Sequence, residues 1–254
     1  MAKVQTGMAS QGTIFFAHEQ LAGKGQRGKS WSSQPGENII MSVVLEPEFL
    51  PVSRQFPLSA CVALACHDFF SRYAGARETF IKWPNDLYWR DRKAGGILIE
   101  NSFRGNKWMA AIAGIGVNIN QVSFPETVRN PVSLRQITGR NHDAVKMAGE
   151  LGDCLWTRYK QLQAEETRSQ EPSARMDTGS NGAGPQEPTE PEAAGSLLTE
   201  YNARLYQRGK AVRLKKDNAV FETVVEGVSR QGELLTRDSV ERQFRFGEVE
   251  WVIG

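Results

Sequence analysis

Apolar and polar positions in this chain follow two different periods, and the boundaries between them outline its elements. Residues 13–18 form a short apolar run, and residues 38–45 (Asn-Ile-Ile-Met-Ser-Val-Val-Leu) read as a largely buried strand. From Pro57, a residue suited to the first turn of a helix, Leu58, Cys61, Val62, Ala65 and Phe69 recur along one helical face, which predicts a helix ending near Gly75. Residues 79–83 are extended, because Pro84 bars the helical region to the residue before it. Turns at Pro84-Asn85-Asp86, Arg90-Asp91-Arg92-Lys93 and Arg104-Gly105-Asn106 then carry the chain through strands at 87–89, 95–100 and 107–118, a meander. Residues 143–163 predict a second helix, with Val145, Met147, Leu151, Leu155, Trp156, Tyr159 and Leu162 as its apolar side and Asp143 near its N-terminus. A short helix is expected at 197–206. Alternating strands at 211–214, 219–228, 234–236 and 243–251 follow, enough for a small β-barrel and too little for a catalytic domain.

Composition interrupts this pattern once. Residues 165–196 are dominated by Glu, Pro, Ser, Gly and Thr, with Met176 as the only large apolar residue, so ordering them would not be repaid by burial. The expected organisation is a domain at 1–164, a disordered linker or insertion at 165–196, and a helix plus β domain at 197–254. The 254 residues, 40% of them apolar, suffice for a real core. Lys and Arg number 31 against 29 Asp and Glu, so no strongly basic surface argues for nucleic-acid binding. Cys61, Cys66 and Cys154 are odd in number, lack metal-type spacing and lie in apolar helical patterns, as buried thiols of a reducing cytosol would. His67 sits on a helix with no second ligand near it in sequence and reads as a structural histidine. No run is long enough to span a membrane and no apolar signal core follows Met1, so a cytoplasmic protein is expected.

Three stretches carry candidate chemistry. In Gly23-Lys24-Gly25-Gln26-Arg27-Gly28-Lys29-Ser30-Trp31, three glycines let the backbone approach a ligand while Lys24, Arg27 and Lys29 make the loop cationic, which suits an anion. The literal G-x-G-x-x-G match, with Glu46 downstream, invites a dinucleotide fold. That fold needs a helix right after the third glycine, and Pro35-Gly36 leaves no room for one. In Lys82-Trp83-Pro84-Asn85-Asp86, followed by Lys93 beside Gly95-Gly96, a lysine next to bare backbone suits a carboxylate or phosphate at close range. In Gly114-Ile115-Gly116-Val117-Asn118, glycines at i and i+2 clear one strand face for a flat or slender ligand.

These three motifs, in this order and spacing between about Gln20 and Asn120, closely resemble the biotin protein ligase family, of the monofunctional type without a DNA-binding domain. Lys82-Trp83-Pro84-Asn85-Asp86-Leu87-Tyr88 is the most specific of them. The resemblance implies an α+β fold with a mixed β-sheet catalytic domain and flanking helices, like class II aminoacyl-tRNA synthetases, plus a C-terminal SH3-like β-barrel. It implies an ATP-dependent ligation with Mg²⁺: biotin is activated as biotinyl-5'-AMP and then passed to a lysine of a biotin carboxyl carrier protein, the acetyl-CoA carboxylase subunit. By the family pattern Lys93 touches both biotin carboxylate and phosphate, and Lys24 and Arg27 offset the repulsion of two anions. Gln20 and the backbone of Gly23, Gly96, Gly114 and Gly116 line the biotin pocket, with Gly25, Gln26 and Asn85 completing the binding set. Trp31 packs on adenine, Asn118 bonds its edge, and Asp86 orients or deprotonates the incoming lysine. A homodimer is implied by the family alone.

Two departures from the family pattern bear on activity. Gln26 stands where the family usually has arginine, which weakens retention of the adenylate. The family's Ser-Thr-Asn stretch has no counterpart, so a truncated chain with weakened biotin affinity is expected, as is the absence of a helix-turn-helix module before Thr13. A lipoate ligase of similar fold, with a longer and less polar acyl pocket, and an inactive binding fragment are the competing expectations.

Overall fold

The computed structural model describes residues 8–170 and 196–252. In chain order these form β1 (Ile14–Phe16), β2 (Gly23–Lys24), a single 3₁₀ turn (Gln26–Gly28), β3 (Ser30–Trp31), β4 (Ile39–Leu45), α1 (Phe56–Ala74), β5 (Thr79–Lys82), β6 (Asp86–Trp89), β7 (Arg92–Arg104), β8 (Lys107–Val117), α2 (Leu134–Thr138), α3 (Ala144–Gln170) and α4 (Leu197–Ala203). The C-terminal strands are β9 (Ala211–Lys216), β10 (Ala219–Val228), β11 (Leu234–Arg237), β12 (Glu241–Phe244) and β13 (Glu250–Trp251).

Six strands make the principal sheet in the order β1-β4-β8-β7-β6-β5. Every ladder in it is antiparallel, and parallel contacts enter only as bridges at its margin, such as Ile81 with Leu205 and Lys93 with Pro131. The mixed sheet expected for this domain is therefore antiparallel in its strands, as hairpin connections through Asn85 and Gly105 require. Pairing of Gly95 with Val117, Gly96 with Gly116 and Leu98 with Gly114 fixes which residues share a face. One face carries Ile39, Met41, Val43, Leu45, Ile97, Ala111, Ala113, Ile115 and Val117, all in one apolar cluster with α1 and α3. Leu58, Phe69 and Phe70 of α1 are fully buried there, each worth about 2–3 kcal/mol of burial. The other face carries Ser42, Gly96, Gly114 and Gly116, with a small satellite cluster of Ala9, Val44, Ile112 and Phe15 toward one end.

The helix predicted from Pro57 is present, with Pro57 in its first turn and Gly75 (φ 87°) as its C-cap. The second long helix runs past the expected end at Gln163. Glu165 accepts from the Leu197 amide at 3.2 Å, and the buried Glu166 accepts two bonds from Arg54 at 2.7 and 2.8 Å, so tertiary partners hold the turn that composition assigns to a linker. The remainder of that predicted linker, residues 171–195, lies outside the described residues. Arg158 extends the same web, reaching Asp68 at 2.6 Å and Glu200 at 2.8 Å. The C-terminal segment, expected as a small barrel, pairs its strands as a five-stranded antiparallel sheet in the order β12-β11-β10-β9-β13. The single strand expected at 243–251 is two, because the chain turns through Gly247 (φ 87°).

Candidate active site

The glycine face organises the site by strand register. Ile40 pairs with Gly116, Gly116 with Gly96, Gly96 with Asp86, and Asp86 with Lys82, so these five residues form one transverse row on one face of β4, β8, β7, β6 and β5. The row grades from smooth to charged. Gly96 lies at the transition: a Cβ there would sit 3.5 Å from Asp86 Oδ1, from Lys93 Nζ and from Trp31 Cζ3. Lys93 Nζ donates to Asp86 Oδ1 at 2.6 Å, an ion pair about a quarter exposed. A bulge between Leu87 and Tyr88 shifts the register so that Lys93 pairs with Tyr88 and its ammonium can fold back over Gly96.

The Lys93 backbone is latched from the far side. Its amide donates to Asn130 O at 2.9 Å and its carbonyl accepts from Val132 N at 2.8 Å. Asn118, buried, donates Nδ2 to Lys93 O at 3.4 Å and to Val132 O at 3.1 Å, so its amide nitrogen is part of this latch. Residues 130–138 stand out in neither apolar period, although Ser133-Leu134-Arg135-Gln136 is a capping-box signature. Gln136 N donates to Ser133 Oγ and Ser133 N to Gln136 Oε1, which starts α2 directly after the latch.

The cationic loop leaves β1 and returns through a two-stranded hairpin, Gly23 paired with Trp31 and Lys24 with Ser30. No α-helix follows Gly28, as the dinucleotide fold would need. A Cβ on Gly23 would collide with the Trp31 carbonyl, which explains glycine at that position. The Trp31 ring lies across the glycine row: a Gly116 Cβ would fall 2.5 and 2.6 Å from its Cε2 and Cζ2. Its Nε1 is buried without a hydrogen-bond partner. Gln26 donates Nε2 to Ile97 O at 3.5 Å, and Asn85 Nδ2 donates to the same carbonyl, which ties loop and turn to β7 next to Gly96.

Not every expected residue converges. Lys24 and Gln20 are exposed, Gln20 with its Oε1 2.9 Å from the Cβ position of Gly23. Gly25 closes the 3₁₀ turn through a 2.6 Å bond from its amide to Lys29 O. Arg27, at φ 54°, reaches the C-terminal segment, 3.5 Å from the Cβ position of Gly247 and 3.9 Å from Glu250. Gly114 lies on the same face one step along the sheet, its Cβ position 3.3 Å from Leu98 O. His67 is buried with Nε2 at 3.1 Å from Thr79 O, and no group of three metal-ligating side chains occurs among the described residues. Cys61, Cys66 and Cys154 are free and buried, and burial pushes the thiol of each up. No described helix is long and apolar enough to cross a membrane.

A cation and a carboxylate thus meet at the edge of a strand floor bare of side chains, and the chain is similar to known proteins. Residues 3–118 match the family model described as Biotin/lipoate A/B protein ligase family. It is 34% identical over 155 residues to the Bifunctional ligase/repressor BirA of Bacillus spizizenii, covering 60% of this chain and 47% of that protein. The chain thus spans about half the length of that relative. Similarity to the Biotin--[acetyl-CoA-carboxylase] ligase of Paracoccus denitrificans is 28% over 246 residues, 95% of this chain and 90% of that one. Among solved structures, the biotin protein ligase from Aquifex aeolicus in complex with biotin and ATP superposes with a TM-score of 0.72 at 20% identity, over 97% of this chain and 91% of that chain. The fold is that of the biotin protein ligases.

Proposed function

We propose that the chain is an ATP-dependent biotin protein ligase. The observation that carries this reading is the Lys93–Asp86 pair set on Gly96 at the charged end of the glycine row. A slender acid lies along Gly116 and Gly96 with its carboxylate toward Lys93. There the ammonium offsets repulsion between carboxylate and α-phosphate as the carboxylate oxygen bonds to phosphorus and pyrophosphate departs. In the second step a neutral lysine amine of a biotin carboxyl carrier domain forms the amide bond, AMP leaves, and Asp86 orients the amine or receives its proton. Named relatives are biotin ligases, and the Aquifex structure holds biotin and ATP, which supports this choice of acid and nucleotide. In this reading Gln20, Gly23, Gly25, Gln26, Asn85 and Gly114 bound the acid, Trp31 leaves the glycine row to pack on adenine, and Lys24 and Arg27 swing to the phosphates.

Asp86 is engaged by Lys93, and the described side chains form no carboxylate cage. In this reading Mg²⁺ arrives on the phosphates of the nucleotide as part of the substrate. We read the catalytic unit as extending to Gln170 and the segment from Leu197 as a C-terminal unit, in a cytoplasmic enzyme that forms homodimers. Transfer of labelled biotin to a carrier domain, dependent on ATP and not competed by lipoate, is the expected result. Transfer suppressed by lipoate at equal concentration would move the assignment to a lipoate ligase, and ATP- and biotin-independent behaviour would make the chain a binding fragment.

A further inference from the structure

Lys82 ends the transverse row and has no part in the chemistry assigned above. It is the last residue of β5, directly opposite Asp86 on the same face. It is only 9% exposed, and its ammonium lies 5.2 Å from the ring centroids of both Tyr88 and Trp251, the latter in β13 of the C-terminal sheet. Trp251 is backed by Tyr206, which also packs on Tyr88. Asp86 gives its contact to Lys93, not to Lys82. Burial holds Lys82 down to about 8, with Asp86 pulling the other way and Lys93 and Lys29 adding to the burial effect. An ammonium kept where desolvation opposes it is held there by its neighbours.

Lys93, meanwhile, faces a conflict. When its ammonium turns to an incoming carboxylate or phosphate it divides its charge between two anions, and the half-buried Asp86 carboxylate is left only partly compensated. A second cation one strand away removes the penalty. We propose that Lys82 is a positioning residue for acid activation: it balances the charge of Asp86 when Lys93 turns to the substrate anions, and Tyr88 and Trp251 hold it in place to do so. The C-terminal sheet thereby reaches the site through Trp251. This rests on the acid-activating reading above, so two measurements are needed.

The first uses the ligand-free protein. In a ¹⁵Nζ NMR titration of the lysines, D86N lowers the Lys82 midpoint below its wild-type value; an unchanged midpoint would sever Lys82 from Asp86 and overturn the proposal. The second is biotin-dependent pyrophosphate exchange at saturating MgATP. K82M raises KM for biotin about tenfold in the otherwise wild-type chain and less than about twofold in the D86N background, where no carboxylate needs balancing. K82R, still a cation over two rings, stays near wild type. Equal effects in both backgrounds, or no rise in KM, overturn the proposal. W251L, which releases Lys82 without altering the row, is expected to show the same background dependence and replaces K82M should that variant not fold. Absence of exchange in the wild type would defeat the acid-activating reading and leave the NMR titration to decide the coupling.

Discussion

The two faces of the six-stranded sheet are built from the same strands and do opposite things. On one, Ile97, Ile115 and Val117 interlock with α1 and α3, and nearly every position is filled by an aliphatic or aromatic side chain. On the other, the alternate residues are Gly96, Gly114 and Gly116, and beside them lie an indole from the hairpin and an ammonium and a carboxylate from β7 and β6. Period-two alternation lets one strand serve both faces, so stability and chemistry can be separated by parity along β7 and β8. A substitution on the packed face should cost folding free energy. One on the glycine face should cost binding or rate and leave folding nearly untouched.

The largest effect is expected on the glycine face. Lys93→Met should reduce biotin-dependent pyrophosphate exchange by about a thousandfold, roughly 4 kcal/mol of transition-state stabilisation, with a urea midpoint close to wild type. A loss of less than about tenfold would remove Lys93 from the centre of the chemistry. Next comes the packed face: Phe69→Ala, at a fully buried site, should lower unfolding free energy by about 3–5 kcal/mol while KM for biotin in the surviving folded protein stays within about twofold. A parallel collapse of binding would show that the faces are not separable. Arg158→Met should cost about 3 kcal/mol in the same unfolding experiment, because Asp68 and Glu200 lose a shared partner.

A smaller effect distinguishes Lys82 by pH. Its amine sits at about 8 in the fold against 10.5 ordinarily, so between these values the unfolded chain binds more protons than the folded one. Stability therefore rises with pH across roughly 8 to 10.5, by at most about 3 kcal/mol. K82M should flatten that rise, as thermal unfolding at stepped pH would reveal; an unchanged slope would assign the rise to another group. Gly116→Ala completes the series with the least change in stability, within about 1 kcal/mol, since the methyl group displaces only the Trp31 ring.

Much of this division is legible in the amino-acid sequence. Alternating Gly114 and Gly116, the Lys82–Tyr88 motif and Lys93 beside Gly95-Gly96 mark the floor and its charged end, because glycine at i and i+2 clears a single face of a strand. Helix α1 announces itself through Pro57, its apolar face and Gly75. What sequence does not carry depends on contacts remote along the chain. The last turn of α3 exists because Arg54 and Leu197 satisfy Glu166 and Glu165, which no local composition reports. Arg27 lies beside Gly247, more than 200 positions away along the chain, a contact that no local pattern announces. Asn118 also donates its Nδ2 to the Lys93 carbonyl, a backbone latch that its sequence context does not reveal. The capping box at Ser133 is a local signal that apolar periodicity alone does not reveal.

The most direct test of the glycine face is whether it yields the mixed anhydride. Purified protein given biotin and ATP labelled at the α-phosphate should accumulate labelled biotinyl-adenylate, and Gly116→Val, equally folded by circular dichroism, should not. Label confined to ATP and free AMP in the wild-type reaction, or equal adenylate from Gly116→Val, would contradict the assignment.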